Sequence, residues 1–210
     1  MFDFSLMSFV AGLPGLLLAL VLHEYAHARV AVAMGDFTPR LSGRLTLNPL
    51  AHIDIIGFIM LMLVHFGWAK PVMVNPRNFT DMRKGNILVA AAGPLANFAT
   101  AFVALFVMVL MFKLNMGMSL GVKTVLSMIV LYNINFGIFN LIPLPPLDGS
   151  KILMEFLPSQ YAYKLMGLER YSFIILIVMM MTPILGGILI PLSRLILGIF
   201  ETVISTILMV

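Results

Sequence analysis

Residues 4–32 are apolar almost throughout, yet they carry His23-Glu24-Tyr25-Ala26-His27. A run of this length crosses the ~30 Å hydrocarbon core of a bilayer as a helix. Ionisable groups are costly there and by default mark a site or a relay. On a helix, positions i and i+4 share a face, so His23 and His27 aim two imidazoles at one spot. Glu24 lies at the edge of that face, within reach of a water on a metal held by the pair. Two neutral nitrogens for Zn²⁺ and one carboxylate as general base make a hydrolytic metal centre. On a soluble helix the same five residues would be ordinary solvated surface. The flanks 15–21 and 28–34, apolar apart from Arg29, argue against that here.

The rest of the chain fits the same solvent. Of its 210 residues, 61% are hydrophobic and 10% charged, with further apolar runs at 87–112, 122–142 and 171–210. The expected fold class is an all-α polytopic membrane protein with about five to six membrane helices or re-entrant segments. Residues 1–170 read as the core, and 171–210, split at Pro183 and Gly186-Gly187, as C-terminal transmembrane helices of the same membrane domain. The first run lacks a basic start and a small-residue cleavage site, so it reads as a span and not as a removed signal peptide. With no cysteine, the metal ligands must come from His, Asp and Glu.

The net charge of +4 is no argument for nucleic acid, because basic residues of a membrane protein report orientation. Arg29, Arg40, Arg44, Lys70, Arg77, Arg83, Lys84, Lys151, Lys164 and Arg170 flank one set of loops, and only Lys113 and Lys123 the other. The larger set should be cytoplasmic, which puts the N-terminus outside and the metal centre toward the cytoplasm.

Two connecting stretches read as extended. Residues 41–47 alternate apolar with polar or small, the period of a strand. Residues 68–74 carry Pro71, which confines them to the edge of any sheet. Together they are expected to form a small membrane-embedded β-sheet. Between them, 53–66 is apolar but short. If it crossed fully, the basic loops beside it would face opposite compartments, so it is expected to dip in and return. His52 and His65 lie at its edges and need no role beyond an interfacial one, although His52 can serve as an outer partner of the site.

A catalytic zinc takes three protein ligands and leaves one position for water. Asp148 is the leading third ligand, since apolar residues and prolines surround it at the end of a span whose exit matches that of His27. Asp54 is the alternative, although it can instead cap the helix that follows. Pro143, Pro145 and Pro146 place Asp148 on a rigid non-helical segment, with a short helix expected at 152–157. Asn97 and Asn140 are candidates for donating a hydrogen bond to an oxyanion, although a buried asparagine also serves simply to satisfy neighbouring backbone.

These residues carry a resemblance. His23-Glu24-Tyr25-Ala26-His27, Asn48-Pro49-Leu50-Ala51-His52-Ile53-Asp54, Gly67-Trp68-Ala69-Lys70-Pro71-Val72, Gly93-Pro94-Leu95-Ala96-Asn97 and Asn140-Leu141-Ile142-Pro143-Leu144-Pro145-Pro146-Leu147-Asp148-Gly149 occur in the order of the site-2 protease family. The chain resembles an intramembrane zinc metalloprotease of the small form without an extramembrane domain. The resemblance implies one Zn²⁺ per chain on His23, His27 and Asp148, with Glu24 as general base and Asn97 near the catalytic centre. It also implies transmembrane protein substrates and regulated intramembrane proteolysis, in which a regulatory membrane partner can take part.

Two other functions compete. An ion or metal transporter could use the same cluster, but transporters tend to show related halves, and no second copy of residues 20–28 occurs. An inactive membrane-binding relative would not need Glu24. The 18 methionines suggest apolar filler more than a copper path.

Overall fold

The computed structural model describes residues 6–64 and 67–209. Asp3 and His65 lie outside them. The chain is built of helices: α1 (Leu6–Ala33), α2 (Thr38–Leu41), α3 (Ile55–Val64), α4 (Met82–Lys113), α5 (Leu120–Asn140), α6 (Asp148–Met154), α7 (Ser159–Gly167), α8 (Ser172–Met181) and α9 (Ile184–Leu208). Among the described residues, four helices are long and apolar enough to cross a membrane: Val10–Ala33 within α1, and α4, α5 and α9.

Rows of residues four apart, many of them small, bring α1, α4 and α5 together. On α1, Gly15, Ala19, His23, His27 and Ala31 form one buried i, i+4 row; on α4, Gly85, Val89, Gly93, Asn97 and Ala101 form another. In lipid, helices associate by close packing and hydrogen bonds, which small residues permit. A Cβ on Gly15 would sit 2.8 Å from the Met128 carbonyl oxygen of α5. Further along, Ala101 and Ala104 pack with Val130, Ile134 and Ile138, and α9 adds Leu189, Ile196, Leu197 and Phe200 to this core.

Ten-residue α3 is about 15 Å long, half a bilayer. Its flanks meet: Ile53 and Ala69 form an antiparallel bridge, and the Lys70 N–H donates to the His52 carbonyl at 2.9 Å. The chain therefore comes back to where it left, as a re-entrant segment requires.

The described residues do not form the expected sheet. Among the described residues the Ile53–Ala69 bridge is the only strand-like pairing. Thr38–Leu41 is a helical turn with Pro39 near its start, and Gly43 follows at φ +69°. Arg44 turns inward, its N–H donating to the Pro39 carbonyl and its guanidinium to the Ala51 carbonyl. Polar residues that alternate along 41–47 thus serve a tight turn, not two faces of a strand. Residues 68–75 are non-helical.

Two boundaries also differ. Asp148 is the first residue of α6, so the short helix begins four residues before the expected 152, as soon as the prolines end. An acidic residue in a first helical turn is favoured by the helix dipole. The tail breaks at Pro183, while Gly186 and Gly187 lie inside α9.

Candidate metal centre

His23, His27 and Asp148 come together from α1 and α6 at one buried point. The Nε2 atoms of the two histidines are 2.9 Å apart. Asp148 Oδ2 stands 3.2 Å from Nε2 of His23 and 3.0 Å from Nε2 of His27.

The outer nitrogens decide what those three atoms are. His27 Nδ1 is 2.6 Å from the Val89 carbonyl, which can only accept, so Nδ1 carries the proton. His23 Nδ1 is 2.8 Å from Asn97 Oδ1. The orientation of Asn97 is set in turn, since its Nδ2 donates to the Ala19 carbonyl at 2.8 Å and to Asn133 Oδ1 at 3.1 Å. Asn133 then donates to the Ile129 carbonyl. In the neutral imidazoles both Nε2 atoms therefore point lone pairs inward. Asp148 Oδ2 is buried without a hydrogen-bond donor. Three acceptors 2.9–3.2 Å apart repel one another unless a cation lies among them. Tetrahedral zinc with ligands at ~2.0–2.1 Å holds its donors roughly 3.3 Å apart. The residues fit the ion.

The neighbouring side chains complete the centre. Asp148 Oδ1 accepts from Lys151 Nζ at 2.9 Å. Gly93 passes so near that a Cβ there would lie 2.5 Å from His23 Cε1 and 2.6 Å from His27 Nε2. One residue on, Pro94 has no N–H to give the Ala90 carbonyl, which loosens α4 beside Val89.

Glu24 is buried beside the triad, and its Oε2 accepts the Val72 N–H at 2.9 Å. The non-helical segment 71–75 thus lies across the site. With α1, α4 and α6 it encloses a cavity of about 560 Å³ lined by His23, Glu24, His27, Asn140 and Asp148 among others. Asp36 anchors that segment: its carboxylate accepts from the Asn75 N–H at 2.7 Å and from Asn78 Nδ2 at 2.8 Å, besides Thr38. Burial raises the Asp36 pKa, but these bonds outweigh it and leave it lowered.

Of the other sequence candidates, Asp54 stays away from the cluster and accepts the Gly57 N–H at the start of α3. His52 is buried with Nε2 on the Thr46 carbonyl. Asn97 is fully buried with both amide hydrogens committed, so it has no donor left for an oxyanion. Asn140 lines the cavity while its Nδ2 bonds back to the Phe136 carbonyl at 2.9 Å. Sequence reading missed Gly93, Asn133, Lys151 and the backbone of Val72. Gly93 left a trace, four residues before Asn97 on one face of α4, and Lys151 another, three residues after Asp148.

Comparison with known proteins finds zinc metalloproteases. The family described as "Peptidase family M50" matches residues 108–184, which contain Asp148. "Putative zinc metalloprotease YwhC" of Bacillus subtilis (strain 168) is 40% identical over 180 residues, 84% of this chain and 82% of its own length. "Putative zinc metalloprotease Rip2" of Mycobacterium tuberculosis (strain ATCC 25618 / H37Rv) is 30% identical over 186 residues, 85% of this chain and 70% of its own. A shorter match, to "Putative zinc metalloprotease SPs1691" of Streptococcus pyogenes serotype M3 (strain SSI-1), is 54% identical over 39 residues, 19% of this chain and 9% of that one. No solved structure matches.

Proposed function

The chain belongs to peptidase family M50, the site-2 proteases, and from that premise we propose that it is an intramembrane zinc endopeptidase cutting peptide bonds in or near transmembrane segments. The observation that carries this reading is the convergence of three buried acceptor atoms with Glu24 on the wall of the same cavity. His23, His27 and Asp148 hold one Zn²⁺, which when bound polarises the scissile carbonyl and brings a water's pKa to ~7. Glu24 would serve as the general base, its carboxylate accepting a proton from the attacking water and returning it to the leaving amine. The Val72 N–H fixes that carboxylate before the substrate arrives. Asn97 positions His23 by accepting its Nδ1–H, and Val89 does the same for His27; such outer partners fix ring orientation and raise ligand basicity. Lys151 holds the other Asp148 oxygen, so that Oδ2 alone faces the histidines.

A transmembrane substrate must also exchange its helical hydrogen bonds for others. Of the stretch 68–74, residues 71–74 are non-helical and line the cavity, where they offer backbone groups to an unwound segment; residues 41–47 are folded into their own turn. The basic-residue asymmetry supports a site opening toward the cytoplasm.

The test compares the native chain with Glu24→Gln on single-span substrates. Cleavage should vanish while zinc content stays the same. Undiminished cleavage by the variant would refute the assignment of the base, and zinc-dependent flux without cleavage would refute hydrolysis.

A further inference from the structure

α9 carries two ionisable residues on a face that nothing among the described residues covers. Its inner face packs through Leu189, Ile196, Leu197 and Phe200, and Ser193 Oγ donates to Asn135 Oδ1 of α5 at 2.9 Å. Arg194 and Glu201 are exposed on another face. Seven residues apart, they stand within ~20° of each other around the helix and ~10.5 Å apart along it. Among the described residues neither makes an ion pair.

Their depth follows from two contacts. The Phe200 ring meets that of Phe102 on α4, centroids 5.3 Å apart, and Lys113 Nζ of α4 bonds the Leu208 carbonyl. The two helices therefore run parallel and level. Six residues before Phe200, Arg194 is level with about residue 96 of α4, and α4, spanning 82 to 113, has its midpoint at 97–98. Arg194 thus lies near the middle of the bilayer and Glu201 about two turns toward one surface. Among the described residues no acidic side chain offers Arg194 a partner there: Glu24 and Asp148 belong to the metal centre, Glu201 is two turns away, and Asp36, Asp54, Asp81, Glu155 and Glu169 lie outside the four spanning helices. A charge so placed is expensive in lipid and is met by a counter-charge.

Beside Arg194 the surface of α9 is hollow. A Cβ on Gly198 would touch nothing within 4 Å, and a depression of about 510 Å³ lies among Arg194, Gly198, Thr202 and their neighbours.

Which helix fills it is a matter of charge order. Positions seven apart share one heptad position. In a parallel two-fold pair each would face its own copy, Arg194 against Arg194 and Glu201 against Glu201, which repels. Lipid would leave both unpaired. A helix with an acidic residue at the depth of Arg194 and a basic residue one heptad away, at the depth of Glu201, satisfies both. We infer that the outward face of α9 docks a transmembrane helix of another protein carrying that acid–base pair. None of the residues lining the metal-site cavity belongs to α9, so this contact recruits a partner without presenting it to the zinc.

The chain has no cysteine, which permits a direct test. The chain with Leu195→Cys is co-expressed with a Leu/Ala single-span probe bearing one cysteine, its orientation fixed by a run of lysines at one end. One probe carries Asp and Lys seven residues apart at the matching depths, a second carries them exchanged, and a third carries Leu at both. Disulfide cross-linking should be at least tenfold greater for the matched probe than for the Leu probe. It should fall to the Leu level with Arg194→Leu. The double exchange Arg194→Glu with Glu201→Arg should transfer the preference to the exchanged probe, with cleavage of a model substrate unchanged. Repeating the series with Glu24→Gln must leave the pattern intact, since loss of probe by cleavage is then removed. Equal cross-linking of all three probes would overturn the inference. So would Leu195→Cys chains that link only to one another, which would assign the face to a second copy.

Discussion

α4 and α9 both carry polar side chains deep in a membrane span, and they treat them in opposite ways. Asn97 of α4 is fully buried, and every hydrogen-bonding group it has toward His23, Ala19 and Asn133 is used. Arg194 and Glu201 of α9 are exposed and unpaired among the described residues. A polar group that the fold satisfies internally specifies one arrangement of the helices around it; one that the fold leaves open toward lipid specifies something outside the chain. The membrane makes the distinction sharp, because neither kind can fall back on water.

The glycines give the largest expected contrast. Gly93→Ala drives a methyl into both imidazoles, and a displacement of ~1 Å in such a centre costs about 100-fold in rate. Cleavage should fall at least that far, with zinc bound below one equivalent. Gly198→Ala on the open face of α9 should change neither. Equal losses at the two positions would break the comparison.

A smaller effect is expected one shell out. Asn97→Ala leaves His23 Nδ1–H without its acceptor and should weaken zinc binding by about 10–100-fold, read by competition with a chelator. Glu201→Gln should leave zinc affinity unchanged. If Asn97→Ala binds zinc normally, its bond to His23 does not set the tautomer.

The segment over the site supplies a pH test. The Asp36 pKa is lowered in the folded chain, so its carboxylate stabilises the fold fully above the unfolded value of ~3.9. That contribution is lost as pH falls through the lower folded value. Asp36→Asn should cost roughly 1–3 kcal/mol at neutral pH and flatten the acid limb of thermal stability. An acid limb as steep as the native one would contradict the anchoring role. Smallest of all, Ser193→Ala removes the single bond from α9 to Asn135 and should cost about 0.6 kcal/mol, seen as a slight fall in Tm.

These contrasts also explain what the sequence disclosed. His23, Glu24 and His27 were legible because a helix repeats every 3.6 residues, and Asp148 because carboxylates are scarce in apolar surroundings. The strand at 41–47 was misread because alternation is equally produced by a turn whose polar groups bond locally, as Arg44 does to Pro39 and Ala51. The start of α6 was missed because prolines forbid a helix through themselves, not directly after. Asn133 and the Val72 N–H left no signal of their roles, since each acts through a tertiary contact with no fixed spacing, whereas Lys151 sits at the i+3 helical spacing from Asp148.

X-ray absorption of the zinc-loaded chain tests the centre most directly. Two imidazole nitrogens and one carboxylate oxygen at ~2.0–2.2 Å from the metal are expected, with the carboxylate contribution lost in Asp148→Asn and kept in Asp54→Asn. Zinc that keeps its full carboxylate signal in Asp148→Asn, or that shows no imidazole at all, would contradict it.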